Sequence, residues 1–367
     1  MILIKAQRDA ILRPLQLITG IVERRHTLPI LANILLRKKG SIVSFIATDI
    51  EMQITAFSEL GHGDNDFDIT VGAKKFLDIL RALRADIEVV ISITNSKLSV
   101  TQGKSKFNLQ TLSAEEFPVV VQASQYTATA TLSQQDFRRC LHLVQFAMAQ
   151  QDIRYYLNGM LLALANDALR TIATDGHRLS YKAVAMAQET SIEVIVPRKV
   201  VLELQKTLTD STDTIDICLT NNQVLFKFGQ IEILSKLIEG RFPDYDRVIP
   251  KTHSKHITLE REVFLKSLSR VAILTTEKYK GVRLSLQDNA LKLSATNAEQ
   301  EEALEELDIE YDGELLEIGF NVQYLIDALA VLKDDNITLS LQDNNASALI
   351  TIPSDASFRY VVMPMRI

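Results

Sequence analysis

Hydrophobic and polar positions follow two different periods along this 367-residue chain. Short stretches such as Lys97–Thr101 and Gln223–Lys227 alternate residue by residue, which is typical of half-buried strands. Other stretches repeat apolar residues at helical spacing, as Ile11, Leu15 and Ile18 do, which predicts amphipathic helices. Most connections between the predicted strands are too short for parallel crossovers, so the pattern indicates an α+β fold with antiparallel sheets.

The order of the predicted elements recurs three times. An apolar strand ends in Ala-Thr-Asp or Ala-Thr-Asn at positions 49, 175 and 297, which are 126 and 122 residues apart. An acid in each of the two predicted helices recurs at a similar distance, at Asp9, Asp136 and Glu262 and at Asp78, Glu203 and Asp327. A period of roughly 125 residues is a whole domain rather than a solenoid repeat. The sequence therefore predicts three tandem domains with two helices each, residues 1–122, 123–251 and 252–367.

Composition narrows the class of protein. The chain is 47% hydrophobic and 23% charged, which is ordinary for a globular protein. It contains no apolar run of ~18 residues and no signal peptide at its alternating N-terminus, so we expect no membrane association. Two cysteines, Cys140 and Cys218, favour a reducing compartment, the cytoplasm. A net charge of −6 argues at first sight against a nucleic-acid partner.

The distribution of charge weakens that objection. Six predicted helical windows, 8–25, 73–84, 133–149, 197–208, 260–271 and 321–333, carry 17 Lys/Arg and 8 Asp/Glu. Their net charge is +9, which leaves −15 for the rest of the chain. A solvated helix face is the usual meaning of one such charge run. Six equivalent helices of one sign indicate a shared basic surface if the repeats pack side by side.

Motifs for catalysis are missing from the sequence. It has no P-loop, no dinucleotide-binding glycine motif, no nucleophile turn and no second His or Cys at metal-ligand spacing from His177. We therefore expect no cofactor and no metal, and a binding role rather than an enzyme. Two alternatives stay open: an enzyme centred on Asp175, His177 and Arg178, and a static scaffold that never touches DNA.

Several strings then point to a known family. They are Thr27–Leu31, Gln151–Met160, Ala173–Leu179, Glu239–Tyr245, Asn297–Glu302 and Tyr360–Ile367. In this order they resemble the bacterial replicative sliding clamps, the beta subunit of DNA polymerase III. The resemblance implies three similar domains per chain and a head-to-tail homodimer that closes into a ring. The ring would encircle duplex DNA without reading its sequence and confer processivity on the polymerase.

The resemblance also implies partners and a location. The partners are the catalytic subunit of DNA polymerase III, an ATP-driven clamp loader complex, and other replication and repair proteins that carry clamp-binding motifs. The location is the bacterial cytoplasm, in association with the nucleoid.

The resemblance assigns three sets of site residues. The DNA-binding set is Arg24, Arg25, Lys74, Lys75, Gln151, Tyr155, Tyr156, Arg198 and Lys199; packing at a domain seam is the alternative for the two tyrosines. The partner-peptide groove is Leu157, Thr174, Gly176, His177, Arg178, Leu179, Pro243, Arg247, Val248, Asn321, Tyr324, Val361, Met363, Pro364, Met365 and Arg366. The dimer interface is Lys74, Phe107, Leu109, Ile273, Leu274, Glu301, Glu305 and Glu306.

Three details qualify these assignments. The third copy has Val322 and Gln323 where the other copies have basic residues, so its helix should contact DNA less. A groove valine of the family falls near Asn345 or Ala346, which predicts a more polar wall. A buried terminal strand is the alternative reading for the methionines at positions 363 and 365.

Overall fold

The computed structural model describes residues 1–22, 28–61, 65–94, 97–165, 167–187, 190–276 and 280–366. Within these ranges the helices are α1 (Arg8–Ile18), α2 (Ala73–Ala82), α3 (Gln134–Val144), α4 (Arg198–Thr207), α5 (Tyr245–Val248), α6 (Arg261–Val271) and α7 (Val322–Val331). Apart from the single turn of α5, they form two helices per predicted repeat. No helix in the described ranges is long and apolar enough to cross a membrane.

The strands of the described residues are short and numerous. They are β1 (Ile2–Gln7), β2 (Asn33–Lys39), β3 (Ile42–Thr48), β4 (Met52–Ser58), β5 (Phe67–Gly72), β6 (Glu88–Thr94), β7 (Lys97–Gln102), β8 (Ser105–Gln110), β9 (Ala128–Ser133), β10 (Gly159–Ala165), β11 (Ala168–Thr174), β12 (Arg178–Ala185), β13 (Ile192–Pro197), β14 (Thr214–Leu219), β15 (Gln223–Phe228), β16 (Ile231–Lys236), β17 (Lys255–Glu260), β18 (Gly281–Gln287), β19 (Ala290–Thr296), β20 (Glu302–Asp308), β21 (Leu316–Asn321), β22 (Asn336–Leu341), β23 (Ala348–Ile352) and β24 (Asp355–Val362). Each of the six longer helices begins at the residue that follows a strand.

Every strand pairing described is antiparallel, as the sequence predicts. One compact unit, residues 1–135 with 206–237, holds the sheets β1-β6-β7-β8 and β5-β2-β3-β4-β16-β15-β14-β9. The other unit, residues 136–205 with 238–367, holds the sheets β13-β10-β11-β12-β24-β23-β22-β17 and β20-β19-β18-β21. The predicted α+β class with antiparallel sheets is confirmed.

Both eight-stranded sheets join strands from two neighbouring repeats. In the first unit β4 pairs with β16, with Gln53 opposite Leu234, and we call this pairing the first seam. In the second unit β12 pairs with β24, with Leu179 opposite Val361, and we call it the second seam. The compact units follow these sheets rather than the repeat, and the predicted domain boundaries stay a prediction.

The helices bury one apolar face each and leave basic side chains outside. In α2 the residues Ala73, Phe76, Leu77 and Leu80 are buried, a spacing of three or four positions, whereas Lys74 is exposed. Full burial of a side chain as large as Phe76 contributes ~1.5–3 kcal/mol. The same spacing that forms the core therefore also presents the charge on the opposite helix face.

Candidate functional site

A tight turn carries the residues of the predicted groove into β12. Thr174 Oγ1 accepts the Gly176 N–H (3.1 Å) and donates to the Arg178 carbonyl oxygen (2.6 Å). Asp175 Oδ1 accepts the backbone N–H groups of His177 (2.9 Å) and Arg178 (3.1 Å). Gly176 has a φ of 90°, in the left-handed region where glycine is favoured. Two polar side chains thus fix the backbone that places His177 and Arg178.

Arg178 forms the centre of this site, with only 10% of its side chain exposed. Its Nε donates to Asp175 Oδ2 (3.0 Å), its Nη1 to Asp327 Oδ2 (2.6 Å) and its Nη2 to the Phe146 carbonyl oxygen (2.8 Å). The guanidinium carbon lies 4.4 Å from the centroid of the Tyr324 ring. Burial by itself would lower the pKa of Arg178, but neighbouring phenolic and acidic groups outweigh it and raise the pKa.

Arg154 is a residue of this site that sequence reasoning missed. Its Nη2 pairs with Asp152 Oδ2 (2.8 Å) and donates to the Asp175 carbonyl oxygen (3.1 Å). The hydrogen bond from Arg154 lowers the pKa of Asp152 to about 2. A Cβ on Gly176 would lie 2.7 Å from Arg154 Nη1, so a side chain at this position would displace the Arg154 guanidinium. The Asp-x-Arg spacing within the string Gln151–Met160 was the signal in the sequence.

These residues surround an apolar cavity of about 210 Å³ in the second unit. Its lining is Arg154, Tyr156, Leu157, Thr174, Gly176, His177, Arg178, Leu179, Pro243, Val248, Val361 and Met363. The structure therefore brings together ten of the sixteen residues predicted for the groove. Tyr156, predicted to contact DNA, lies in the cavity wall.

The other six predicted groove residues lie next to the cavity or on the chain end. Tyr324 stacks on the His177 ring with a centroid distance of 6.5 Å. Asn321 caps α7 by accepting the Gln323 N–H, and the exposed Arg247 pairs with Asp244. The remaining residues, Pro364, Met365 and Arg366, follow the end of β24.

The two methionines after β24 are not buried. Met363 is 41% exposed and Met365 is 38% exposed, so the alternative of a buried terminal strand is wrong. Asn345 and Ala346 form a turn around Asp343 and are not among the described residues that line the cavity. The more polar wall stays a prediction.

The predicted DNA-binding residues lie on several elements. Lys74 and Lys75 are exposed in the first turn of α2, and Lys199 is exposed in the first turn of α4. Gln151 is exposed with a left-handed φ of 56°, and Tyr155 is 57% exposed. Arg24 and Arg25 lie outside the described residues.

Arg198 differs from its lysine neighbours because it is half-buried. Its Nη1 points at the carbonyl oxygens of Met148 (3.3 Å) and Gln145 (3.5 Å). Burial lowers the pKa of Arg198, and the positive charge of Arg178 lowers it further. Part of the hydrogen-bonding capacity of the Arg198 guanidinium is therefore used within the second unit.

The predicted dimer residues lie on two edge strands and on segments outside the sheets. Phe107 and Leu109 belong to β8, an edge strand of the first unit, and Phe107 is 36% exposed. Ile273 is 77% exposed, whereas Leu274 is partly buried. Leu304, which the sequence-based prediction of the interface did not include, lies on the edge strand β20 and is 61% exposed.

The predicted acids of that interface already have partners within the chain. Glu305 pairs with Arg270 at 2.5 Å and Glu306 with Lys292 at 3.5 Å. Glu301 accepts from Asn297 Nδ2 at 2.6 Å.

The geometry disfavours an enzyme centred on Asp175, His177 and Arg178. The Asp175 carboxylate is occupied by two backbone N–H groups and the Arg178 guanidinium, so it cannot orient the His177 ring as a base. Burial raises the pKa of Cys140 to about 12, which makes its thiol a poor nucleophile. In the part of the chain that the structure describes, no three His, Cys, Asp or Glu side chains could hold a metal.

Similarity to known proteins extends along the whole chain. Family models of the DNA polymerase III beta subunit match residues 2–121 (N-terminal domain), 131–244 (central domain) and 246–366 (C-terminal domain). The beta sliding clamp of Pseudomonas putida is 44% identical over 363 residues, 98% of this chain and 99% of that protein. The beta sliding clamp of Escherichia coli K12 is 41% identical over 362 residues, with the same coverage.

Solved structures give the same similarity in three dimensions. The DNA polymerase III beta subunit of Pseudomonas aeruginosa superposes with a TM-score of 0.97 at 42% identity, covering 100% of both chains. A structure of the sliding clamp from the same organism bound to griselimycin gives a TM-score of 0.96 at 42% identity, again with full coverage.

Proposed function

Because the chain belongs to the DNA polymerase III beta subunit family, we propose that two copies close into a ring around duplex DNA and tether the replicative polymerase. The single observation that carries this proposal is the match of three consecutive clamp domains over nearly the full chain. Members of the family are processivity factors rather than enzymes. Two helices per repeat, three repeats and two chains would give twelve helices around the hole.

Contact with DNA is proposed to be electrostatic and independent of sequence. Lys74, Lys75 and Lys199 lie in first helical turns, where the positive end of the helix dipole adds to the ammonium charge. Exposed contacts of this kind are screened by salt and carry no base information, which permits sliding. We assign Arg24, Arg25, Gln151, Tyr155 and Arg198 to DNA contact as well, with Arg198 contributing less because it is half-buried.

The apolar cavity of the second unit is proposed to take the apolar anchor of a partner peptide. Met363 at its edge is flexible and polarizable, so it can adapt to anchors of different shape. Tyr156 and Arg154 join the predicted groove residues in this role. Griselimycin, which the Pseudomonas aeruginosa clamp binds, is proposed to bind here too. The partners are then the polymerase catalytic subunit, the clamp loader complex, and other replication and repair proteins.

The protein is proposed to act in the bacterial cytoplasm, in association with the nucleoid. This location follows from its membership of a bacterial replicative family. The boundaries 1–122, 123–251 and 252–367 are kept as the proposed borders of the three domains.

Closure of the ring is proposed to pair the edge strand β8 with the partner's edge strand β20. An edge strand leaves backbone hydrogen-bonding groups free along one side, and such an edge can pair with another chain. Phe107 and Leu109 would pack against the partner's Ile273 and the partner's Leu274, with Leu304 adding apolar area beside them. Ion pairs of Lys74 with the partner's Glu301, the partner's Glu305 or the partner's Glu306 would add under ~1 kcal/mol each.

Replacing the apolar side chains of this interface should dissociate the ring. We expect the double variant Ile273→Ala and Leu274→Ala to sediment as a monomer in analytical ultracentrifugation, because the apolar patch supplies most of the association free energy. The matched control is Ile153→Ala, which removes an isoleucine that is 96% exposed on a loop outside the patch. A double variant that sediments as a dimer contradicts this interface.

The decisive test of the function is retention on DNA of defined topology. With a bacterial clamp loader and ATP, the protein should stay on nicked circular DNA through a gel-filtration column and leave when the circle is cut. A static scaffold would not be retained on either DNA. Retention that persists on linear DNA would contradict an encircling ring, because only a closed ring depends on the absence of ends.

A further inference from the structure

Helix α7 supplies two side chains that hold Arg178. Tyr324 and Asp327 are three positions apart, so they lie on the same helix face. The Tyr324 ring covers one face of the guanidinium at 4.4 Å, and Asp327 Oδ2 accepts from Nη1 at 2.6 Å. Helix α7 belongs to the third repeat and Arg178 to the second, so this contact ties the two repeats together beside the cavity.

Both oxygens of the Asp327 carboxylate are engaged. Oδ2 receives the Arg178 hydrogen bond, and Oδ1 receives one from Gln323 Nε2 at 2.7 Å. Asp327 is not one of the described residues that line the cavity, whereas Arg178 is. Its hydrogen bond to Arg178 is therefore a direct link between Asp327 and the cavity lining.

The hydrogen bonds of Arg178 decide what the cavity can recognise. Each of its three guanidinium nitrogens donates to an atom of the protein, at Asp175, Asp327 and the Phe146 carbonyl oxygen. These bonds use three of the five N–H groups of the guanidinium and fix its position, so fewer donors remain for an incoming carboxylate. We therefore expect an uncharged group of the peptide, rather than a carboxylate, beside Arg178.

We propose that Asp327 is a positioning residue of the peptide groove, which holds Arg178 flat against Tyr324 so that the cavity accepts an uncharged apolar anchor. This inference rests on the proposed function of the cavity and adds to it a residue from outside its lining. Tyr324 also stacks on His177, so a displaced Arg178 would disturb two walls of the cavity at once.

A double-mutant cycle with griselimycin as the probe tests the proposal. We expect Asp327→Asn to raise the Kd of griselimycin about tenfold, which corresponds to ~1.4 kcal/mol of binding free energy. The reason is that the negative charge of Asp327, which helps to hold Arg178, is lost. In an Arg178→Lys background the same substitution should change the Kd less than about twofold, because residues that act through each other are not additive. Thermal unfolding of each variant shows whether it is folded.

Two further variants keep the test decisive if Arg178→Lys does not fold. Asp327→Glu retains a carboxylate and should bind griselimycin within about threefold of the wild type. The matched control Asp78→Asn changes the corresponding acid of α2 in the first repeat, which is exposed, and should leave the Kd unchanged.

Three results would overturn the proposal. One is wild-type affinity in Asp327→Asn. Another is a full tenfold loss in the Arg178→Lys background, which would mean that Asp327 does not act through Arg178. The third is a wild-type protein that does not bind griselimycin, which would overturn the proposed groove together with this inference.

Discussion

The two seams are built on the same turn and end in different surfaces. The turn Thr48–Met52 lies at the first seam and the turn Thr174–Arg178 at the second. In both, the Thr hydroxyl accepts one backbone N–H and donates to a carbonyl oxygen, and the Asp carboxylate accepts two backbone N–H groups. Both turns contain a residue with a left-handed φ, 78° at Ile50 and 90° at Gly176. The backbone is thus common to the two seams, and the side chains make the difference.

At the first seam a side chain of the turn joins a buried cluster, whereas the cavity lies at the second seam. Ile50 packs against a buried cluster that includes Leu35 and Phe117, whereas Gly176 leaves space for the Arg154 guanidinium. The segment after Phe117 is tied to the first seam by a hydrogen bond from the Val120 N–H to Gln53 Oε1 (3.0 Å). The residue at this position, isoleucine or glycine, therefore distinguishes the two turns, and the cavity lies beside the glycine.

The seams also differ in their ion pairs. Lys236 and Glu51 pair at 3.1 Å in the first seam with side chains that are 47% and 67% exposed. Lys182 and Asp355 pair at 2.6 Å in the second seam with side chains that are only 8% and 17% exposed. Removing one partner of the second pair leaves a largely buried charge, so breaking that pair should weaken its seam more than breaking the exposed pair weakens the first.

Breaking the buried pair should have the largest effect. We expect Lys182→Met to lower the free energy of opening of β24 by about 3 kcal/mol, because it leaves the Asp355 carboxylate largely buried without its main partner. Arg139 also pairs with Asp355 at 3.2 Å, so part of the carboxylate charge stays compensated and the loss of free energy is smaller than for an unpaired charge. Amide hydrogen exchange of β24 measures it.

The matched variant in the first seam is Lys236→Met. It should lower the free energy of opening of β16, measured by amide hydrogen exchange, by less than ~1 kcal/mol, because the pair is exposed. Equal acceleration of exchange in β16 and β24 by the two variants would refute the contrast between the seams.

Transplanting the side chain of the first seam should close the cavity of the second. In Gly176→Ile the new Cβ would lie 2.7 Å from Arg154 Nη1, and an isoleucine at a φ of 90° is strained. We expect griselimycin to bind at least ~30-fold more weakly, equivalent to ~2 kcal/mol, as measured by isothermal titration calorimetry. The reciprocal variant Ile50→Gly is the control and should leave this affinity unchanged. Undiminished binding by Gly176→Ile would show that the glycine does not shape the cavity.

The sequence predicted what depends on local pattern. The apolar spacing of Phe76, Leu77 and Leu80 predicted α2 within residues 73–84, and the structure ends it at Ala82. The acid markers found the repeat because Asp78, Glu203 and Asp327 are each the sixth residue of their helix, and the acids near the start of α1, α3 and α6 agree within one position. The family resemblance supplied ten cavity residues, nine of which lie in continuous strings such as Ala173–Leu179.

Contacts between distant segments could not be predicted in the same way. The ion pair of Arg178 with Asp327 joins residues 149 positions apart, and the pairing of Lys182 with Asp355 spans 173. No local period encodes such pairs, since the first depends on where α7 packs and the second on the antiparallel register of β12 with β24. Arg154 was missed for the same reason, because only the fold places its guanidinium over Gly176.

A titratable group in the second unit offers the smallest and most specific test of the comparison. His142 lies on α3, and the corresponding position of α1 is Gln16, which does not titrate. Burial lowers the pKa of His142, and the positive charges of Lys333 and Arg138 lower it further, against a backbone hydrogen bond at Val331. The neutral ring is therefore favoured in the folded protein.

Acidification should then destabilise the protein through His142. As the pH falls through ~6.5, the ring is protonated in the unfolded chain before it is protonated in the folded chain, so stability is lost until the folded pKa is passed. His142→Gln, which gives α3 the residue of α1, should remove this contribution. We expect the thermal midpoint of the wild type to fall more between pH 7.5 and pH 5.5 than that of the variant. Carboxylates with lowered pKa, such as Asp355, titrate in both proteins and cancel in the difference. If the thermal midpoints of the two proteins change equally with pH, His142 does not contribute to the pH dependence of stability. The first and second repeats would then differ at their seams but not in how acid changes their stability.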